Sequence, residues 1–183
     1  MRMTRPEARA LRSGLDPALR RIWSGAIVEH ALAWDVFRKA RAVIAYAPVG
    51  SEPEIWPLLR RTLALGKRLL LPRCAGSGNM VAMEVSDLAC LVPGAFGILE
   101  PAGDSRPMGK GSIDLCLTPG LLYDLQCNRL GQGGGYYDRF LKGFSGVSCG
   151  VAFAAQVVEA LEVRPHDMPV NALVTERGVY YKP

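Results

Sequence analysis

The chain has 183 residues, 49% apolar and 21% charged, with a net charge of +5 and a pI of about 9.1. That is ordinary globular composition, enough chain for one domain (1–183) with a core stable on its own. It excludes a disordered polyelectrolyte, and no apolar run is long enough to predict a membrane-spanning helix. The basic balance favours anionic ligands such as nucleotides or polyglutamylated cofactors, whereas the lack of a Lys/Arg block with interleaved aromatics argues against nucleic acid. Met1 to Glu7 has no apolar h-region, so a cytoplasmic protein is expected. The five cysteines, Cys74, Cys90, Cys116, Cys127 and Cys149, are odd in number and form no C-x-x-C pair. They read as reduced thiols, with Cys116 and Cys149 in apolar runs as small core residues and Cys127 in a loop with no base beside it.

In chain order, residues 2–13 predict a short basic helix whose Arg2, Arg5, Arg9 and Arg12 fall near one face. A solvated charged face is the ordinary reading of such a run; four arginines against one Glu also suit a phosphate. Asp16-Pro17 then starts a helix, Asp as N-cap and Pro at the first position, with Leu19, Ile22, Trp23, Ala26, Ile27, Ala31 and Trp34 at helical spacing. His30 on this helix, with no ligand partner nearby, is not a metal residue. Residues 41–47 are a continuous apolar run and predict a buried parallel strand. Its end delivers a loop with Glu52 and Glu54, the place where open α/β sheets bind ligands. A helix to Leu65, stopped by Gly66, and a strand over 67–71, ended by Pro72-Arg73, come next. Residues 74–79 form a turn and 80–85 a strand. Residues 86–112, rich in Gly and Pro, predict a winding surface segment anchored by Phe96, Ile98 and Leu99. Residues 113–117 are another strand, 118–132 show no clear element, 136–142 a helix, 148–153 a strand, 155–161 a helix, 164–169 a polar loop, and 172–175 and 179–181 short final strands. Strands alternating with helices predict an α/β sandwich with a mostly parallel sheet.

The most informative stretch is Asn128-Arg129-Leu130-Gly131-Gln132-Gly133-Gly134-Gly135-Tyr136-Tyr137-Asp138-Arg139. Glycine lets backbone N–H groups approach a ligand closely, and a helix start behind the loop adds unpaired donors. Arg129 supplies a cationic fork and Asp138 a carboxylate, a combination suited to a polyphosphate with a divalent cation. No Gly-Lys-Ser/Thr follows, so this is not a Walker A loop; Tyr136 stands where a dinucleotide fingerprint needs its third glycine. From glycine content alone, a surface turn closing onto a helix explains the loop equally well.

The longer string, Pro119-Gly120-Leu121-Leu122-Tyr123-Asp124 and then Arg129 through Asp138, resembles the 5-formyltetrahydrofolate cyclo-ligases. Residues 46–58, Gly66-Lys67, Leu71-Pro72-Arg73, Gly97-Ile98-Leu99-Glu100-Pro101, His166-Asp167 and Val174-Thr175-Glu176 extend the resemblance nearly end to end. It implies a single three-layer α/β/α domain with a mostly parallel sheet (NagB/RpiA-like), usually monomeric, with ATP and 5-formyltetrahydrofolate, polyglutamylated or not, as small-molecule partners and Mg2+ as cofactor. It also implies the site. Arg2, Arg5, Arg129, Leu130, Gly131, Gln132, Gly133, Gly134, Gly135, Tyr136 and Tyr137 would hold ATP. Ala47, Glu52, Phe96 and the stretch from Gln132 to Tyr136 would hold folate, Glu52 taking the pterin N–H groups. Asp138 and Asp167 would hold Mg2+, and Arg129 and Tyr136 would act in catalysis. Departures from the family pattern are Met1 where an early lysine stands, Gln132 and Gly134 where bulkier or basic residues occur, Cys127 for a turn glycine, and Asn171 for an aspartate. Two other readings remain: a non-catalytic nucleotide- or RNA-binding relative, and a sugar-phosphate isomerase of similar layers, for which no placed Glu or Lys base is evident beyond loop acids.

Overall fold

A computed structural model describes residues 3–182; Arg2 lies outside the described residues. The chain opens with helix α1 (Arg5–Ser13), started by a capping box in which the Thr4 N–H donates to Glu7 Oε2 at 2.7 Å. That interaction holds the Glu7 carboxyl below its usual range. Helix α2 (Pro17–Ala33) starts at Asp16, whose Oδ1 accepts from the N–H groups of Ala18 and Leu19, as the sequence predicts. Its core face is Ser24, Ile27, Val28 and Ala31. Leu19 and Ile22 are expected in the stripe, but Ile22 is 66% exposed, whereas Trp23 packs against the core cluster.

Helix α3 (Asp35–Lys39) and strand β1 (Ala42–Ile44) follow, then α4 (Trp56–Ala64), β2 (Arg68–Cys74) and β3 (Met80–Val85). Strand β2 does not stop at Pro72. It pairs antiparallel with β3 through Pro72↔Ala82 and on to Cys74↔Met80, so the turn at 75–79 closes a long hairpin. The segment expected to wind without structure contains a second hairpin, β4 (Leu91–Pro93) with β5 (Leu99–Pro101), and an edge strand β6 (Pro107–Met108). Phe96 is not an anchor of this segment. It sits at the hairpin tip, 78% exposed, with φ +58°.

Strand β7 (Leu115–Pro119) leads to β8 (Leu122–Asp124) and β9 (Arg129–Leu130), a short hairpin in the region that shows no clear element in sequence. Asp124, almost fully buried, organises its turn by accepting from the N–H groups of Gln126, Asn128 and Leu161 and from Asn128 Nδ2. Cys127 takes φ +59° in this turn, the left-handed conformation that explains why relatives would use glycine there. Helix α5 (Tyr136–Leu141), β10 (Val147–Val151), β11 (Val157–Val158), β12 (Ala172–Thr175) and β13 (Gly178–Tyr181) complete the chain. The helix expected at 155–161 is only a 3-10 turn, Ala154–Gln156, running into β11. Gln156 holds it by donating from Nε2 to the carbonyls of Gly120 and Leu121, which brings Val157 and Val158 alongside β8.

The main sheet has the order β13-β12-β10-β7-β1-β2-β3-β6, parallel from β12 to β2 and antiparallel at both margins. Alternation along the strands builds the layers. Val43, Leu69, Leu71, Leu115, Leu117, Cys149 and Val151 face the layer of α2, α3 and α4, meeting Ile27, Phe37, Leu58 and Leu59. Ala42, Ile44, Leu70, Cys116 and Leu173 face the other side, against Phe140 and Leu141 of α5 and Tyr123 of β8. Each fully buried leucine contributes about 1.5–3 kcal/mol. A small third cluster, Ala8 with Leu121 and Leu122, fastens α1 onto the β8–β9 hairpin. The predicted three-layer α/β/α architecture is what the chain adopts. With β1, β2 and β7 parallel, their carboxyl ends all deliver loops to one edge.

Candidate active site

At that edge the glycine loop leaves β9 and enters α5. Its carbonyls are tied back by arginines from two directions. Arg5 Nε of α1 donates to the Gly131 carbonyl at 3.1 Å, and Arg139 of α5 donates to the carbonyls of Gly134 and, through Nε at 2.8 Å, Gly78. Arg9 Nη2 donates to Gln132 Oε1 at 2.7 Å. The backbone N–H groups of residues 132–137 donate to no described residue. With carbonyls held from behind, the loop keeps a run of backbone donors without a partner among the described residues, the kind of arrangement that can accept an anion. Gly133 (φ +104°) and Gly135 (φ +67°), the cap of α5, hold left-handed backbone that favours glycine, and a Cβ on Gly131 would lie 2.7 Å from Arg129 Nη1, so the guanidinium would have to move.

Arg129 lies beneath this loop, nearly buried. Its Nη2 donates to Asp138 Oδ1 at 2.8 Å, and its guanidinium sits 5.5 Å from the centre of the Tyr137 ring. Both Arg129 Nε and the Tyr137 hydroxyl are buried without a hydrogen-bond partner. Such orphans are rare in a folded chain and mark a place where a ligand or water completes the bonding. Burial pushes the Tyr137 phenol well above its ordinary value, against the opposing pull of Arg129.

Tyr136 meets Phe96 edge to face, ring centres 6.4 Å apart, so the hairpin tip and the loop build one aromatic corner. Behind it runs a chain of polar groups absent from the sequence reading. Cys74 lies between the Tyr136 hydroxyl and the Glu100 carboxylate, close enough for each to shift its thiol, and its N–H donates to Glu100 Oε1 at 3.5 Å. Glu100 Oε1 also accepts from the Ala95 N–H at 3.3 Å, next to Phe96. Burial, then Glu100, pushes the Cys74 thiol up.

Glu52 lies in the loop after β1. Its Oε2 accepts from the Val49 N–H at 3.1 Å, and its Oε1 lies 3.5 Å from Arg12 Nη1. Burial raises the Glu52 carboxyl, opposed chiefly by the Arg12 guanidinium. Arg12 therefore does not share the loop-facing role of Arg5 and Arg9; it is sunk against Glu52. Ala47 is buried in the core after β1, so it offers the site shape and backbone. Leu130 packs into the α1 cluster, and its carbonyl accepts from the Leu121 N–H.

Asp138 Oδ1 accepts from the Met168 N–H at 3.2 Å as well as from Arg129, which brings the loop carrying Asp167 against α5. Asp167 Oδ2 accepts from the Arg164 N–H, and its Oδ1 lies 3.8 Å from His166 Nε2. Asp138 keeps Oδ2 outside these bonds, and among the described residues no group of three or more His, Cys, Asp or Glu forms a metal cage. Mg2+ takes one or two carboxylates together with waters and substrate phosphates, and Asp138 Oδ2 is an oxygen donor of that kind.

The sequence reading set Arg9 and Arg12 in a phosphate-suited row and did not tie them to Gln132 or Glu52; it missed Cys74, Glu100 and Arg139 as site residues. Arg139 had a signal: it stands three residues after Tyr136, on the same helix face, and its guanidinium lies 5.9 Å from that ring. Glu100 and Cys74 had none, because a β-hairpin tip had to be recognised first.

Fold and site together define an α/β protein with a donor-rich glycine loop set beside an aromatic corner and a buried carboxylate. A sequence model of the 5-formyltetrahydrofolate cyclo-ligase family matches residues 2–176. The mitochondrial 5-formyltetrahydrofolate cyclo-ligase of Arabidopsis thaliana is 30% identical, the alignment covering 97% of this chain and 74% of that protein. The Escherichia coli 5-formyltetrahydrofolate cyclo-ligase is 32% identical over 77% of this chain and 81% of its own length. The solved structure of Aquifex aeolicus 5,10-methenyltetrahydrofolate synthetase superposes with a TM-score of 0.87 at 36% identity, covering 97% of this chain and 90% of that one. The synthetase of Mycoplasma pneumoniae, at 17% identity and a TM-score of 0.75 over 95% of this chain and 99% of that one, shares the fold. The chain belongs to the 5-formyltetrahydrofolate cyclo-ligase family, a family of enzymes. Among the described residues, no helix is long and apolar enough to cross a membrane.

Proposed function

We propose that the chain converts 5-formyltetrahydrofolate to 5,10-methenyltetrahydrofolate with ATP and Mg2+, releasing ADP and phosphate. The supporting observation is the run of unpaired N–H donors at 132–137, set beside Arg129 and facing the Phe96–Tyr136 corner. A triphosphate and a flat heterocycle are what such neighbours bind.

The chemistry accounts for the parts. An N-formyl group is an amide and a poor electrophile. Transfer of the γ-phosphoryl group to the formyl oxygen breaks the bond to ADP and makes an iminium phosphate. N10 of the folate then attacks the formyl carbon, the C–O bond to phosphate breaks, and the N10 proton is lost. Phosphoryl transfer needs alignment and charge neutralisation more than a protein nucleophile. In this reading the loop N–H groups, Arg129 and Arg5 hold the phosphates, and Leu130 sets the loop's depth through its packing. Tyr136 and Phe96 clamp the pterin, Glu52 accepts its N–H groups, and Ala47 bounds the pocket. Mg2+ supplies charge neutralisation at the phosphates, held by Asp138 and Asp167. Under this reading the partners are small molecules, and the protein acts as a monomer in the cytoplasm.

The test is direct: protein, Mg2+, ATP and 5-formyltetrahydrofolate are mixed and the methenyl chromophore is followed. Its growth is expected to require all three ligands. Folded protein that binds ATP yet forms no chromophore would overturn the reading.

A further inference from the structure

One helix touches both halves of the site. Arg5 and Arg9 of α1 reach the glycine loop, at the Gly131 carbonyl and Gln132 Oε1. Arg12, two turns on, turns into the protein. Its Nε donates to Ser51 Oγ at 3.1 Å, its Nη1 donates to the Gly120 carbonyl at 3.1 Å, and the same Nη1 lies 3.5 Å from Glu52 Oε1. The guanidinium is 5% exposed and the Glu52 side chain 12%. A long cationic side chain is rarely buried this far from solvent unless its partners require it.

We propose that Arg12 is a positioning residue for the folate subsite: it keeps the Glu52 carboxylate charged and aimed, and ties it through α1 to the glycine loop. This rests on the reading that Glu52 takes the pterin N–H groups. The groups facing Glu52 make the charge argument specific. They are Arg12 from α1, Tyr46 after β1, Tyr123 of β8 and Tyr137 of α5. Three are phenols that burial keeps neutral, so none of them balances the carboxylate. Arg12 is the one cation among them. Burial already raises the Glu52 carboxyl, and losing Arg12 removes the force that opposes it. A protonated Glu52 would turn one acceptor oxygen into a donor and meet a pterin N–H donor with another donor.

Arg5 and Arg9 share the helix, so both halves of the site rest on α1.

The experiment measures kcat and KM for each substrate from acid to alkaline pH in the full chain and in Arg12→Met, Arg12→Lys, Glu52→Gln and the Arg12→Met/Glu52→Gln pair. Arg12→Met is expected to raise KM for 5-formyltetrahydrofolate about tenfold at neutral pH, with kcat changed about twofold or less. The acid limb of its folate kcat/KM profile is expected to move up by about one pH unit or more, since carboxylate character now appears only at higher pH. Arg12→Lys keeps the charge but loses the fork, so its limb should stay in place while KM rises; it also serves if Arg12→Met does not fold. On a Glu52→Gln background, Arg12→Met should add less than about twofold, as expected of residues acting as a unit. If Glu52→Gln raises the folate KM but Arg12→Met leaves the acid limb unmoved, Arg12 is a strut and the proposal fails alone. If Glu52→Gln leaves the folate KM unchanged, the Glu52 assignment fails and this proposal with it. An acid limb displaced equally in Arg12→Lys and Arg12→Met would also overturn it, because charge would not be the cause.

Discussion

The glycine loop at 131–135 and the hairpin tip at 94–98 face each other across the aromatic corner, and both bend at glycines, yet they are held in different ways. The loop is pinned by Arg5 and Arg139, side chains from two helices, and rests on the Arg129–Asp138 pair. The tip hangs from its own hairpin, closed by the Gly94 N–H donating to the Ile98 carbonyl and by Glu100 accepting from the Ala95 N–H, and its Phe96 is mostly in solvent. A site that must neutralise phosphate charge gains from donors fixed before the ligand arrives, since no reorganisation is then needed at the moment of reaction. A site that grips a flat ring can tolerate a mobile wall. The contrast predicts that damage on the loop side appears in kcat, and damage on the tip side appears in the folate KM.

Arg129→Ala is the severest way to break the loop side. It removes the cation under the loop and leaves Asp138 with only the Met168 N–H on Oδ1. A loss of about 10³-fold or more in kcat/KM for ATP is expected, near the scale of deleting a charge-assisted contact made in the transition state. Turnover within about threefold of the parent, in folded protein, would mean the loop is not the phosphate site. Gly131→Ala is milder. Its Cβ would stand 2.7 Å from Arg129 Nη1, so the guanidinium must shift. A drop of about 10²-fold in kcat is expected with the folate KM nearly constant, because a displacement of this order misaligns the transfer. A rise in folate KM with kcat untouched would erase the distinction between the two sides.

Glu100→Gln probes the tip. The amide oxygen can stand in for Oε1, which accepts from both the Ala95 and the Cys74 N–H groups, but the Oε2 position becomes an Nε2 donor and the negative charge beside the Cys74 thiol is lost. The folate KM is expected to rise about threefold to tenfold and the ATP KM to stay within about twofold, the pattern of lost ground-state binding. Equal rises in both would show that the tip and the loop are one rigid unit.

How much of this could be read from the residues follows the same division. The alternating strands and the Asp16-Pro17 cap were legible because each depends on neighbours within a few residues. The glycine loop was legible as a motif, but not the reason its donors are free, since Arg5 and Arg139 act on carbonyls whose placement needs the fold. Phe96 was assigned to the folate side from the resemblance and yet read as an apolar anchor from its pattern. Only the β4–β5 hairpin reveals that the same ring is held out at a tip. The segment 155–161 misled because Val157, Val158 and Leu161 fit a helical stripe, whereas Gln156 bonding to Gly120 and Leu121 pulls the two valines into strand pairing with β8. Arg12 was placed with a phosphate-facing row by spacing alone. Helical spacing fixes a face, and here the third member of that face passes over an edge where Ser51 and Glu52 wait.

The mildest probe uses the five thiols, all free. Cys116 and Cys149 are buried in the sheet; burial pushes Cys116 up to about 12 and Cys149 higher still, and Cys127 is also raised by burial. None of these three should react with an alkylating reagent at neutral pH until the protein unfolds, because the thiolate is the nucleophile. Cys90 is exposed and should react first. Cys74 is half-buried and raised by burial and by Glu100, so it should follow more slowly. Its thiol lies beside the Tyr136 hydroxyl, which makes its rate a reporter on the aromatic corner. Saturating 5-formyltetrahydrofolate should slow alkylation of Cys74 by about fivefold or more while leaving Cys90 unaffected, and ATP alone should have little effect on either, if the bound-state population governs access. Protection of Cys74 by ATP but not by folate would reverse the assignment of the two sides, placing the nucleotide against the hairpin and the pterin against the glycines.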